Sequence, residues 1–464
     1  MSTFSFDPQK EIDSRLNGPG FQSSAQRLEL LQASKSSRHS DSILGRFLDL
    51  KLTILGGLGA LFCICFFNLS DISGGVDRDK ISVDFTVLLK VGFLGIAGLY
   101  GIIGAYTDSK VRRLMFSFPV VWIWMLFGFY CLAVINSVIP KESAASAISI
   151  ACVLLCTSRS LVQHGVEVVL KTVFFALSAF VFVSWLLFLF VPEIGVFEEA
   201  TVDGQFISRM GGMAHANTLG QFAGLNLVLG LMLHRVYGDA MTKLRWLIIV
   251  LAGAALIASV SRTSLVATAI AVAFVYREKC LRRQYLPYAL GIGILGVLGL
   301  LALAAVTDLG AAIESKLAIV SKSGDAEELT TATGRAEIWA YAIKLIGQQP
   351  LFGYGAATSK WFLSDYSLYT HNMILNVAFS TGVFGGLACV AMVFGRISSL
   401  IYRPHRIADA LLVFILVNGM FENVIFSILC GLPTIVWIIA LSMPVMDEIS
   451  KDDSKLPVAM EGSQ

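Results

Sequence analysis

The sequence predicts an all-α integral membrane protein: a polytopic bundle of about twelve transmembrane helices with one large periplasmic loop that contains an amphipathic helix. Three observations carry that expectation. The 464 residues are 56% hydrophobic and 15% charged, with a mean hydropathy of +0.73, well outside the soluble range. Apolar runs long enough to cross about 30 Å of hydrocarbon recur along the chain. The longest polar break, Thr307 to Asn372, carries its own helical period, with Ile338, Trp339, Ala342, Ile343 and Ile346 recurring between Arg335 and Gly347.

Taken in order, residues 1–45 are polar, rich in Ser and Gln, and hold Lys10, Arg15, Arg27, Lys35 and Arg38. They read as a mostly disordered cytoplasmic tail, because the first apolar run begins too late for a cleavable signal peptide. The transmembrane domain spans 46–446, with spans at roughly 50–69, 83–105, 115–136, 143–158, 168–191, 218–234, 245–260, 263–276, 286–306, 372–394, 408–428 and 430–446. The large loop occupies 307–371, and 447–464 form a short polar tail. Within the loop, Thr333 suits an N-cap, while Pro350, Gly353 and Gly355 end the helix and turn the chain.

Loop charge gives the orientation. Lys110, Arg112 and Arg113; Arg159; Arg235, Lys243 and Arg245; Arg277, Lys279, Arg282 and Arg283; and Arg396, Arg403 and Arg406 all fall on one side. The short loops opposite hold only Arg78, Lys80, Lys141, Arg209 and Arg262. Lys and Arg accumulate on cytoplasmic loops, so both tails are expected inside and the large loop outside.

Composition excludes some classes. A net charge of +2 without a basic stripe argues against nucleic acid. The eight cysteines lie in apolar runs or, for Cys280, in a basic inner loop, so no disulfide framework is implied. Cys152 and Cys156 share a helix face without partnering histidines, which argues against a metal there.

The orientation sorts the candidate chemistry. Of six histidines, only His215 and His371 reach the outer face, near Arg209, Arg262 and Arg335. Guanidinium forks bind phosphate oxygens bidentately and stay charged at any working pH. Arg335 stands in a first helical turn, where the macrodipole disfavours a cation; either an anion docks beside it or it points to solvent. Arg262 sits between two apolar runs with almost no loop, so it is either functional or snorkels to headgroups. His371, with an ordinary pKa of about 6.5, suits a general base but also suits an interfacial polar position. Asn372 either orients a substrate or caps the helix that follows. Glu422, near the outer end of its span, either orients His371 or pairs with a neighbouring polar group.

One order of motifs now stands out: Arg209 through His215 and Asn217 to Gly220, then Ser261-Arg262-Thr263, then Thr333-Gly334-Arg335 with Trp339, then Pro350 to Gly355, then His371-Asn372. In this order and on one face they resemble the O-antigen ligase and polymerase superfamily, over about residues 50–446 and most strongly from Arg209 to Gly386. The resemblance implies transfer of a glycan from undecaprenyl pyrophosphate to a sugar hydroxyl at the periplasmic face of the bacterial inner membrane, without metal or other cofactor. It implies that Arg262 and Arg335 hold the pyrophosphate and that His371 is the base; beside them the residues themselves offer Arg209, His215, Asn217, Asn372 and Glu422 as substrate-binding candidates. It also implies a glycan or lipid A-core acceptor, contact with membrane lipid, and other polysaccharide assembly proteins as partners.

The residues agree on mechanism without the family. A glycosyl pyrophosphate carries its own leaving group, so charge stabilisation by arginines and one base suffice. The competing metal route rests on Asp77-Arg78-Asp79, which has Asp-x-Asp spacing but lies in a short outer loop. The long N-terminal tail and terse outer loops resemble exopolysaccharide-production relatives, and that resemblance favours an exopolysaccharide or O-antigen polymerase over a ligase. A transporter or flippase would instead show internal repeats and mid-membrane charges; no clear repeat is present, although Lys90 lies inside its span.

Overall fold

The computed structural model describes residues 85–200, 206–237, 242–277, 335–364, 367, 369–402, 404–426 and 430–455. The expected spans at 50–69 and 286–306, the N-terminal tail, Asp77-Arg78-Asp79 and Thr333 lie outside these residues. What is described is overwhelmingly helical, as the long apolar runs require when no water is available to satisfy the backbone.

Helix α1 (Phe85–Thr107) turns sharply, by 108°, into the short amphipathic α2 (Ser109–Phe116), whose first turn Asp108 caps through the Lys110 N–H. Helix α3 (Val121–Ala133) leads through a short 3₁₀ turn to α4 (Pro140–Phe190). At about 1.5 Å per residue α4 would be more than twice the hydrocarbon thickness. Gly165, at φ +77°, breaks it into two arms. Ser143 on the first arm bonds the Ala356 carbonyl, and Ser184 on the second reaches the Met213 N–H, so the chain goes out and returns. The two expected spans on either side of Gly165 correspond to these arms.

A β-hairpin follows where the sequence suggested only a loop: β1 (Val196–Ala200) pairs antiparallel with β2 (Phe206–Met210). Helices α5 (Ala216–Tyr237), α6 (Lys243–Ala258) and α7 (Arg262–Val275) come next, and α6 and α7 are joined by a tight turn. The amphipathic helix expected in the large loop is α8 (Arg335–Gln348), and it buries Ile338, Ala342, Leu345 and Ile346. The last three helices are α9 (Met373–Tyr402), α10 (Arg406–Gly419) and α11 (Leu432–Lys455).

Among the described residues, Pro140–Phe190, Ala216–Tyr237, Met373–Leu400 and Leu432–Lys451 are long and apolar enough to cross a membrane, and the bent pair at Thr107 adds a fifth if counted as one span. On α9, Val383, Phe384, Leu387, Val390 and Phe394 remain exposed along one stripe, as expected of a face turned to lipid.

Helix α9 is broken at Gly382 (φ +79°), and the segment after α8 fills the break. The Tyr354 N–H donates to the Phe379 carbonyl at 3.0 Å, and the Gly355 N–H to the Ser380 carbonyl at 2.9 Å. The Val383 N–H returns a bond to the Pro350 carbonyl at 2.7 Å. A Cβ at Gly353 would lie 2.6 Å from the Gly382 nitrogen, and one at Gly382 would lie 2.5 Å from the Pro350 oxygen. The two glycines therefore make the approach possible.

Candidate active site

Segments from across the sequence meet at the end of the bundle where α5 and α9 begin. The hairpin contributes Arg209, the start of α5 His215 and Asn217, the α6–α7 turn Ser259, and α8 Arg335. The approach to α9 contributes Ser367, His371 and Asn372. Glu422 comes from the connection after α10, and it differs from expectation in position. The span read as 408–428 stops at Gly419, and Glu422 lies beyond the C-cap Met420, its N–H bonded to the Asn418 carbonyl at 2.8 Å. Polar Glu422 and Asn423, followed by Phe426 at φ +53°, do not continue an apolar helix.

Glu422 is the centre of the cluster. Its Oε1 accepts from Arg335 Nη2 and from Asn217 Nδ2, both at 2.9 Å, and its Oε2 lies 3.2 Å from His371 Nδ1. Burial alone would raise its carboxyl, but the hydrogen bond and charge of His371, with Arg335 and His215, bring it below the ordinary value of 4.5. The three side chains stay partly exposed: Arg335 at 15%, Glu422 at 20% and His371 at 24%. Among the described residues, Arg335 Nε and Nη1 have no hydrogen-bond partner, so part of the fork remains available to an anion. Phe421 lies 5.8 Å beneath that guanidinium, and Trp339 sits beside Phe421 while donating to the Thr370 carbonyl at 3.0 Å.

The hydrogen bonds fix the His371 tautomer. The Glu422 carboxylate can only accept, which places the ring hydrogen of the neutral imidazole on Nδ1 and leaves Nε2 facing Ser367 Oγ, 3.0 Å away, itself an acceptor from the Tyr369 N–H at 3.3 Å. Nε2 is then the acceptor, and Nδ1 carries the proton toward Glu422. His371 itself has φ +48°, and Val260, in the turn before Arg262, has φ +50°. Such conformations cost about 1–3 kcal/mol each and persist where the surroundings over-determine them, commonly at functional sites.

Arg209, expected to face the vestibule, is instead 2% exposed. Its Nε donates to the Ser259 carbonyl at 2.8 Å, its Nη2 to Asn217 Oδ1 at 2.6 Å, and its Nη1 to Glu199. It thus holds protein groups, and Asn217 links it to Glu422. Asn217 also donates its backbone N–H to His215 Nδ1 at 3.2 Å. His215 packs against Phe197 at 4.3 Å, and burial, then the charge of Arg209, lowers its pKa below 6.5. Asn372 is a cap: its Oδ1 accepts from the Ile374 and Leu375 N–H groups at 3.0 Å, and its Nδ2 donates to the Met420 carbonyl at 3.1 Å. Arg262 opens α7 with its side chain partly exposed, but it is not one of the groups bonded to Glu422.

Sequence reasoning missed Glu199, Ser259 and Ser367. Asp203-Gly204 between two short runs is a hairpin signal, but a two-residue turn there would pair Glu199 with Ser208 and turn it away from Arg209; the observed register is shifted by one residue. The observed register pairs Phe197 with Arg209 and Glu199 with Ile207, which sets Glu199 and Arg209 diagonally on one face. Ser367 had no comparable signal.

No curated protein and no solved structure matches the chain. A family model described as O-antigen ligase matches residues 247–390, a stretch that contains Arg262, Arg335 and His371 and to which the fold adds Asn217 and Glu422 from outside. By that match this part of the chain is similar to the O-antigen ligase-related superfamily, whose members are glycosyltransferase-like ligases and polymerases.

Proposed function

We propose that this chain transfers a glycan from an undecaprenyl-pyrophosphate-linked donor to a sugar hydroxyl at the periplasmic face of the inner membrane, as a polymerase of exopolysaccharide or O-antigen. The observation that carries this reading is the single carboxylate of Glu422 holding both the imidazole of His371 and the guanidinium of Arg335. The acceptor oxygen attacks the anomeric carbon, the carbon–oxygen bond to the diphosphate breaks, and the leaving oxygen keeps the electron pair. The acceptor proton passes to His371 Nε2, and Glu422 steadies the resulting imidazolium through Nδ1. Arg335, with Arg262 at the start of α7, takes up the charge of the departing diphosphate. Attack opposite the leaving group inverts the anomeric centre.

The remaining residues support this geometry. Arg209 and Asn217 hold Glu422 in place, His215 packs beside them, and Asn372 fixes the chain next to His371. No metal is required, because the arginines neutralise the phosphates. Purified protein is therefore expected to transfer glycan from its lipid donor in excess EDTA. His371→Ala should lower turnover by about 10²–10⁴-fold while donor still binds. Activity silenced by the chelator and restored by magnesium or manganese would overturn the mechanism.

The ligase reading, in which finished glycan passes to lipid A-core, is favoured by the description of the matched family. The glycan profile of a deletion strain separates the two. Loss of long chains with single repeats still attached indicates a polymerase; bare lipid A-core with accumulated lipid-linked polymer indicates a ligase. Orientation is tested by single cysteines at the exposed positions Glu337 and Ser109. An impermeant thiol reagent added from outside should label the first and not the second.

A further inference from the structure

The hydroxyl of Ser367 lies 3.0 Å from His371 Nε2, the nitrogen that must take the acceptor's proton. It is held there from two sides. The Tyr369 N–H donates to its Oγ at 3.3 Å, and its own N–H donates to the carbonyl of fully buried Leu363 at 2.8 Å. With the Nδ1 hydrogen held by the acceptor-only Glu422 carboxylate, Nε2 of the neutral ring is the acceptor and Ser367 Oγ donates to it, and an imidazole lone pair accepts only one such bond. While Ser367 stays, neither water nor a sugar can be deprotonated at this nitrogen.

Building on the reading of His371 as the base, we propose that Ser367 is a positioning residue that occupies the acceptor hydroxyl's place in the resting protein. An arriving sugar hydroxyl replaces the serine hydroxyl like for like, whereas a lone water gains too few contacts to do so. Ser367 thereby biases the site toward transfer and against hydrolysis of the lipid-linked donor. In that wasteful reaction a water oxygen would attack the anomeric carbon, the bond to the diphosphate would break, and one water proton would pass to His371 Nε2. The line Ser367–His371–Glu422 also has the order of a nucleophilic triad. A serine glycoside, however, lacks the leaving group that makes the donor reactive, so a covalent serine intermediate would be a trap.

The test uses the full-length protein in detergent with its lipid-linked donor. Without acceptor, Ser367→Ala should release free glycan about fivefold faster than the parent, the scale of one neutral hydrogen bond. With acceptor, transfer at saturation should persist and the acceptor KM should fall by a similar factor, and Ser367→Thr should restore parental values. A readout independent of turnover is the rate at which diethyl pyrocarbonate acylates His371, followed by peptide mass spectrometry; it should rise about fivefold in Ser367→Ala. Unchanged hydrolysis and acylation would overturn the proposal, as would loss of transfer as complete as in His371→Ala or donor glycan attached to Ser367. If His371→Ala retains transfer, the base assignment fails instead, and the acylation rates still report whether the serine covers the ring.

Discussion

Two carboxylates stand at opposite ends of α10, and each gathers arginine and histidine neighbours. Asp409, in the first turn, accepts from Arg396 Nη2 and Arg277 Nη1, both at 2.7 Å, and from the His405 N–H at 2.8 Å. Arg396 and Asp409 are 0% exposed, and Arg396 Nε reaches on to the Ala440 carbonyl at 3.1 Å. This cluster ties the chain just after α7 and the start of α10 to α9 and α11. Glu422, beyond the last turn, is partly exposed; Arg335 and Asn217 reach it from the first turns of α8 and α5, and His371 from the approach to α9. An ion pair sealed from water cannot exchange partners without stranding a charge, whereas a partly open one can yield its arginine to a phosphate. The same pairing of residue types is a clamp at one end and a site at the other because of exposure.

The contrast breaks most visibly at Asp409. Asp409→Asn leaves two guanidiniums without their shared anion and is expected to cost about 3–5 kcal/mol, read as earlier thermal unfolding in detergent. Glu422→Gln is the counterpart. Transfer should fall about 10²-fold, with a much smaller change in unfolding temperature, because the imidazole and the arginine lose their common anchor. If the two variants unfold alike, exposure does not separate the clusters. Arg335→Lys keeps the charge but loses the fork, and should reduce transfer by about tenfold or more at unchanged unfolding temperature.

The smallest effect expected is that of pH. The pKa values of His215 and Glu422 are both lowered by the fold, so each contributes stability above its ordinary value that is lost as pH falls through the folded one. The His215 contribution begins to decline below 6.5, and that of Glu422 only below 4.5. Unfolding temperature followed with pH should thus show two steps, the upper removed by His215→Gln and the lower by Glu422→Gln.

Much of the described helical layout was legible because apolar runs and the period of α8 depend on neighbouring residues alone. The described part of helix α8 begins at Arg335 and ends within a residue of the expected Gly347. The motif residues His215, Asn217, Arg335 and His371 also come together at one end of the bundle. What could not be read was partnership. Whether Arg209 faces solvent or bonds Asn217 depends on a hairpin register, and whether Glu422 belongs to a span depends on where α10 stops. Asn372 fitted both a cap and a substrate ligand, and its bonds to Ile374 and Leu375 identify it as the cap.

The break in α9 has a consequence for how the protein is made. A span that enters lipid with the Phe379 and Ser380 carbonyls exposed would carry unsatisfied acceptors, each worth several kcal/mol in hydrocarbon. Those acceptors are met by Tyr354 and Gly355, residues synthesised earlier. Helix α9 therefore matures only when the preceding segment folds back onto it. Assembly of the membrane part and of the segment that leads into His371 is one event, so damage to the 350–355 turn should surface first as failed biogenesis and only then as failed chemistry.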